Sequence, residues 1–168
     1  MTFILKAYKI LTSLLFATLQ QSFAVSASDS FDAAAKIAGV NRVIIERIVL
    51  VESGGNPYAI NTNSELGSFK FKSRAAAEYA LSILLAKGYR SIDVGAAQIN
   101  LRWHPDLYRS PSELLDVRKN IIAAGHVLRK NREAGAKDVR ETVGRYHSYR
   151  ADRAEKYANK VLGVEGSK

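Results

Sequence analysis

Apolar residues recur at helical spacing through most of this chain, and capping residues punctuate them. Ser30 and Gly39 bracket a first helix carrying Phe31, Ala34, Ala35 and Ile37. A second follows at once, from the N-cap Asn41 to Glu52, and Ser53-Gly54-Gly55-Asn56-Pro57 stops it. Ser73 caps a third, Arg74 to Lys87, rich in Ala and Leu and ended by Gly88. Asp116 caps a fourth that runs to about Arg132, with Val117, Ile121, Ile122, Ala124, Gly125 and Leu128 as its packing face. Asp138 with Glu141 makes a capping box for a helix reaching Tyr146, and Ala151 to Leu162 forms the last. Between Tyr58 and Phe71 the pattern loosens into polar turn residues, with alternation from Ser68 to Lys72, which predicts a small hairpin. Repeats and low-complexity linkers are absent, so one mainly helical domain is expected.

On the second helix Glu52 breaks the pattern. It lies three, four and seven positions after Val49, Ile48 and Ile45, on their face, where an apolar side chain is called for. Desolvation there and the negative end of the helix dipole both disfavour its charge, so both raise its pKa. A general acid near neutral pH needs such a carboxyl group. Taken alone, Glu52 reads equally as an ordinary acid at a fraying helix end.

The first 20 residues carry Lys6 and Lys9, no acidic residue, and the apolar run Ile10 to Leu19, with small residues following from Phe23 to Ala27. This order predicts a secretory signal peptide over residues 1–27, with Val25 and Ala27 at the cleavage positions. The run of about ten residues is well short of the roughly 20 that span a bilayer, so no stable membrane anchor is expected after cleavage. Residues 28–168 then form the mature domain, expected in the periplasm. Loss of Lys6 and Lys9 takes the formal charge from +9 to +7, since Asp29 is the first acidic residue.

A basic exported domain suits a polyanionic partner outside the cytoplasm. Its cations are dispersed, without helix-turn-helix, zinc-finger or RNA-recognition spacing, so no nucleic acid partner is expected. With no cysteine there is neither a disulfide framework nor a thiolate metal site. His104, His126 and His147 have no close metal-ligand spacing, so no metal and no cofactor is expected.

Two further segments carry candidate chemistry. In Asp93-Val94-Gly95-Ala96-Ala97-Gln98-Ile99-Asn100 the small residues allow close backbone approach, and Gln98 and Asn100 offer the donors and acceptors that sugar hydroxyls require. Trp103, just beyond, could stack on a pyranose ring or pack in the core. In Val143 to Ser148, Tyr146 could carry its hydroxyl into a cleft or plug the helix end.

Glu52-Ser53 with Gly-Gly-Asn-Pro, then Asp93 to Asn100 with Trp103, then Tyr146-His147-Ser148 together resemble the lysozyme-like lytic transglycosylases. The likeness runs from about Ala33 to Leu162 and is greatest to the small branch that accompanies conjugation, type III secretion and type IV pilus machines. It implies a mainly α, lysozyme-like α+β fold with at most a small hairpin beside a glycan cleft. The implied activity is cleavage of peptidoglycan between N-acetylmuramic acid and N-acetylglucosamine, ending in a 1,6-anhydro ring. By position Glu52 would be acid and then base, Ser53 would support the substrate, Gln98 would bind glycan, and Tyr146 would orient Glu52; Asn100 is a substrate-binding candidate on its own donor and acceptor groups. Ala96 and Ala97 replace the family's larger Leu and Met, which leaves the cleft wall shallower or filled from elsewhere, and His147 stands where many relatives have Asn.

Ordinary glycosidases place two carboxylates across the scissile bond. After Glu52 the nearest candidates are Glu65 in the hairpin and Asp93 ahead of Gly95; if neither faces Glu52, attack by the sugar's own hydroxyl is favoured over hydrolysis. A hydrolytic muramidase on the same fold, and a non-catalytic wall-binding assembly factor, remain the alternatives. Components of a transenvelope machine are the expected protein partners.

Overall fold

A computed structural model describes residues 28–163; the expected export signal lies outside the described residues. The elements are α1 (28–38), α2 (Arg42–Ser53), β1 (Ala59–Asn61), β2 (Ser68–Lys70), α3 (Arg74–Ala86), β3 (Asp93–Val94), β4 (Ile99–Asn100), α4 (Val117–Glu133), α5 (Val139–His147) and α6 (Ala151–Leu162). Two short 3-10 turns, Pro105–Leu107 and Pro111–Leu115, link β4 to α4.

The helix boundaries follow from side-chain caps. Asn41 accepts from the Val43 amide, Ser73 from Ala76, Asp116 from Arg118 and Lys119, and Asp138 from Glu141. Glu141 reaches back to the Lys137 amide, one residue ahead of the cap that a reciprocal box would satisfy. Ser30 does not start the first helix, because residues 28–30 are already helical. Left-handed Gly54, at φ 67°, ends α2, with its amide on the Leu50 carbonyl and the Gly55 amide on Val49.

The predicted hairpin is β1 with β2, antiparallel with Ile60 opposite Phe69. It is extended on its other side into a four-stranded antiparallel sheet in the order β2-β1-β3-β4. Strands β3 and β4 are two residues each, too short for alternation to announce them in the sequence. Overall the fold is a mainly helical, lysozyme-like α+β arrangement.

Helix α4 runs through the core, burying Ile121, Ala124, Val127 and Leu128. Gly125 lets α1 cross it closely, since a Cβ there would lie 2.6 Å from the Ala34 carbonyl oxygen. Ile45 and Ile48 of α2, Val94 and Ile99 of the sheet, and Val143 and Val161 of the last two helices complete the core. Gly144 does for α5 and α6 what Gly125 does for α1 and α4, as its Cβ would meet the Ala154 carbonyl at 2.8 Å. That close approach carries α6 in against α2.

Candidate functional site

Glu52 sits in the last turn of α2 with Ile45, Ile48 and Val49 buried behind it. Its side chain is half-buried, and Oε1 accepts a 2.5 Å hydrogen bond from the hydroxyl of Tyr157. Burial pushes the carboxyl from the ordinary 4.5 to about 7; the Tyr157 bond pulls it back, the charge of Asp93 pushes it up and that of Lys160 pulls it down. Glu52 therefore keeps its proton close to neutral pH, in a helix-end setting that opposes ionisation.

Tyr157 was not among the residues that sequence reasoning selected. It occupies the buried stripe Tyr157, Ala158 and Val161 of α6, where an aromatic ring reads as core packing. The signal that could have found it is the hydroxyl: a tyrosine on a buried stripe needs a polar partner. Its ring stacks with those of Tyr146, 6.2 Å away, and His147, 5.0 Å away, both nearly parallel to it. His147, which stands where many relatives have Asn, is exposed and stacks on the Tyr157 ring. Burial raises the hydroxyl pKa of both tyrosines well above the ordinary value, so both remain donors.

Tyr146 does not reach Glu52 with its hydroxyl, contrary to the role its position implied. It donates instead to the Ala97 carbonyl at 2.8 Å, because α5 approaches the site over the β3–β4 turn. That turn, Gly95 to Gln98, is clamped at its first three carbonyls. Gly95 O accepts from the Gln98 amide and side chain, Ala96 O from Ser53 at 2.7 Å, and Ala97 O from Tyr146. Asn120 of α4, fully buried, closes it from below, accepting from the Ala97 amide and donating to Val94 O and Leu114 O. Gly95 is required at φ 85°, where a Cβ would be 2.3 Å from both Asn120 Nδ2 and Leu114 O.

These contacts reassign two predicted ligand-binding residues. Ser53 is 2 % exposed and its hydroxyl is spent on Ala96, so it braces α2 against the turn where substrate support was expected. Asn100 donates to Asp93 at 2.6 Å and accepts from the amides of Arg102 and Trp103, so both ends of its amide serve the loop. Gln98, at φ 50°, points its amide nitrogen at Gly95 O and Ala59 O, and no hydrogen bond from a described residue engages its side-chain oxygen. Ala96 and Ala97 are fully buried, so their small side chains set no cleft wall. Trp103 is 67 % exposed, with the Arg102 guanidinium 5.2 Å from its ring.

Neither candidate second carboxylate bonds Glu52. Glu65 is exposed in the β1–β2 turn. Asp93 is held by three amides, Asn61 and Asn63 on Oδ2 and Asn100 on Oδ1, and acts on Glu52 through its charge. Among the described residues no group of three or more His, Cys, Asp or Glu could hold a metal ion. The arrangement is one protonated carboxyl, oriented by a tyrosine, beside a rigid turn that presents a glutamine: equipment for transferring a proton to an oxygen of a bound ligand.

Neither the curated proteins nor the solved structures gave a match to this chain. The family model of the Transglycosylase SLT domain matches residues 29–161, which spans every element from α1 into α6 and includes Glu52, the Gly95–Gln98 turn and Tyr157. The chain therefore belongs to the transglycosylase SLT family, whose domain supports peptidoglycan cleavage of the lytic transglycosylase type.

Proposed function

We propose that this protein is a lytic transglycosylase that cleaves the MurNAc–GlcNAc β-1,4 bond with Glu52 as its sole acid and base. The carrying observation is the state of Glu52, held near neutral pKa by burial and bonded by Tyr157, without a carboxylate partner bonded to it among the described residues. In the first step the Glu52 proton goes to the glycosidic oxygen as the bond to C1 breaks, releasing the 4-hydroxyl of GlcNAc. The 6-hydroxyl of the same muramoyl residue then bonds C1, and the Glu52 carboxylate takes its proton. The ring closes to the 1,6-anhydro form, the acid is regenerated, and no water is consumed. Gln98 would hold the glycan through its side-chain oxygen; Ser53, Tyr146 and Asn100 would act by fixing the turn. We place the protein in the periplasm, exported by a cleaved segment over residues 1–27 and opening the wall locally for a secretion, conjugation or pilus apparatus.

Incubation with insoluble sacculi is the test. Release of soluble muropeptides is expected; tight binding with no release would establish the wall-binding assembly factor in its place.

Tyr157 is a positioning residue in this account. Its hydrogen bond stabilises the charged form of Glu52, so Tyr157→Phe should raise the Glu52 pKa and move the alkaline limb of kcat/KM to higher pH. Loss of orientation should also lower kcat by about tenfold. A pH–rate profile checks both, and a merely structural tyrosine would lower the rate without moving the limb.

A further inference from the structure

The outer face of the sheet carries a polar network that the cleavage steps do not use. In the pairing register Ser68 lies opposite Asn61, Asn61 opposite Asp93 and Asp93 opposite Asn100, so these four share one face. Ile60, Val94 and Ile99 fill the core on the other. Asp93 gathers the amides of Asn61, Asn63 and Asn100. Asn100 in turn fixes the chain beyond β4: the backbone amides of Arg102 and Trp103 bond its side-chain oxygen, and that of His104 bonds its carbonyl. Three successive amides thus converge on one asparagine, and the segment they hold carries the chain's single tryptophan.

That tryptophan is held in the open. Trp103 is 67 % exposed, so the core-packing reading of its sequence fails, and among the described residues its indole N–H has no acceptor. The Arg102 guanidinium, 5.2 Å from the ring centroid, packs on the indole and leaves most of it to solvent.

The same hairpin is fastened at the acid. Ser53, the residue after Glu52, bonds Ala96 in the β3–β4 turn, and the charge of Asp93 acts on Glu52. From Gln98 in that turn to Trp103 is at most about 17 Å of extended chain, so both stand along one wall of the site. A lipid or protein contact calls for apolar neighbours, whereas the exposed residues beside Trp103 in the chain are Arg102, Pro105, Asp106 and Arg109. A pyranose suits this setting. In β-1,4-linked N-acetylated sugars the ring substituents are equatorial, so the ring faces present C–H groups that pack on an indole, and the oxygens at the rim accept from Arg102 and from the indole N–H.

Resting on the transglycosylase reading, we propose that Trp103, with Arg102 beside it, is a stacking site for one N-acetylhexosamine ring of the glycan strand, a few sugars from the bond cut at Glu52, and that the Asp93 network is the frame that holds it open. Such a contact binds ground state and transition state alike, so it acts on KM more than on kcat.

Because Trp103 is the only tryptophan, its emission reports on this site alone. Glycan strands freed of their stems by an amidase are titrated into the Glu52→Gln protein. Indole emission should move to shorter wavelength and saturate. In the wild-type background Trp103→Ala should raise KM on those strands about tenfold, far more than it lowers kcat, and keep the parental melting temperature. Trp103→Phe should recover part of the loss, and Tyr79→Ala, equally exposed but on α3, should change neither constant. Emission that stays unchanged throughout the titration overturns the proposal, as does a KM unaltered in Trp103→Ala. A shift produced by vesicles of anionic lipid and not by strands also overturns it, making Trp103 a membrane contact. A wild type that shows the emission shift and releases no fragments would strike the cleavage reading alone, because stacking is read without turnover.

Discussion

Glu52→Gln is expected to abolish release of soluble fragments from sacculi, with kcat lower by at least about a thousandfold. The substitution keeps the side chain's shape and can still accept the Tyr157 hydrogen bond, but it has no proton to give to a leaving oxygen. Its stability should move the other way. Because burial raises the Glu52 pKa to about 7, the folded state is favoured by the neutral carboxyl. That stability is fully present below the ordinary value of 4.5 and is lost as pH rises through 7. The wild type should therefore melt lower at pH 9 than at pH 5, by a free energy on the order of 2–3 kcal/mol attributable to this group, and Glu52→Gln should flatten the difference. Thermal melts at the two pH values check the sign. A dead enzyme that is more stable than its parent only in alkali is the signature of an acid held against its solvation preference.

Asn120→Ala should cost about 3 kcal/mol of stability and most of the activity. Asn120 is fully buried, and its side chain makes three bonds that nothing else in the fold replaces: to the Ala97 amide, Val94 O and Leu114 O. Truncation leaves those groups unpaired in the core, at about 1–3 kcal/mol for each one not rescued by water. For a domain of this size that is a large part of a total of about 5–15 kcal/mol. Activity should fall with it because the Ala97 peptide sits in the turn that presents Gln98 and receives Tyr146. Urea denaturation should show a lower midpoint with the same m-value, and kcat/KM measured well below that midpoint should still be reduced. A variant as stable as the parent would mean that the turn is held by Ser53 and Tyr146 without Asn120.

The parts of the molecule legible in the sequence are those fixed by local chemistry. Asn41, Ser73, Asp116 and Asp138 announce helix starts because an N-cap acts within three residues of itself, and each is found accepting the expected amide. Glu52 was legible for the same reason: its conflict with Ile45, Ile48 and Val49 is written within two turns of one helix. What could not be read depends on contacts distant in the chain. Tyr157 lies 105 residues after Glu52, and only the close packing of α5 on α6 at Gly144 brings it there. Asn100 and Ser53 illustrate a different limit. Their donors and acceptors suit a sugar as well as they suit a neighbouring backbone, and residue type alone does not say which claims them. The sheet was half visible: its hairpin shows alternation, whereas the two-residue strands β3 and β4 form only because Gly95 and Asn120 bend and fasten the chain between them.

The central claim is that one carboxyl group serves both steps and that the sugar, not water, supplies the nucleophile. Digestion of sacculi in water enriched in heavy oxygen, followed by mass spectrometry of the new glycan ends, tests it directly. The account predicts 1,6-anhydromuramoyl ends, lighter than reducing ends by one water and free of label. Reducing ends carrying one labelled oxygen would contradict it, and would make Asp93, through its charge on Glu52, the group to re-examine as a partner in hydrolysis.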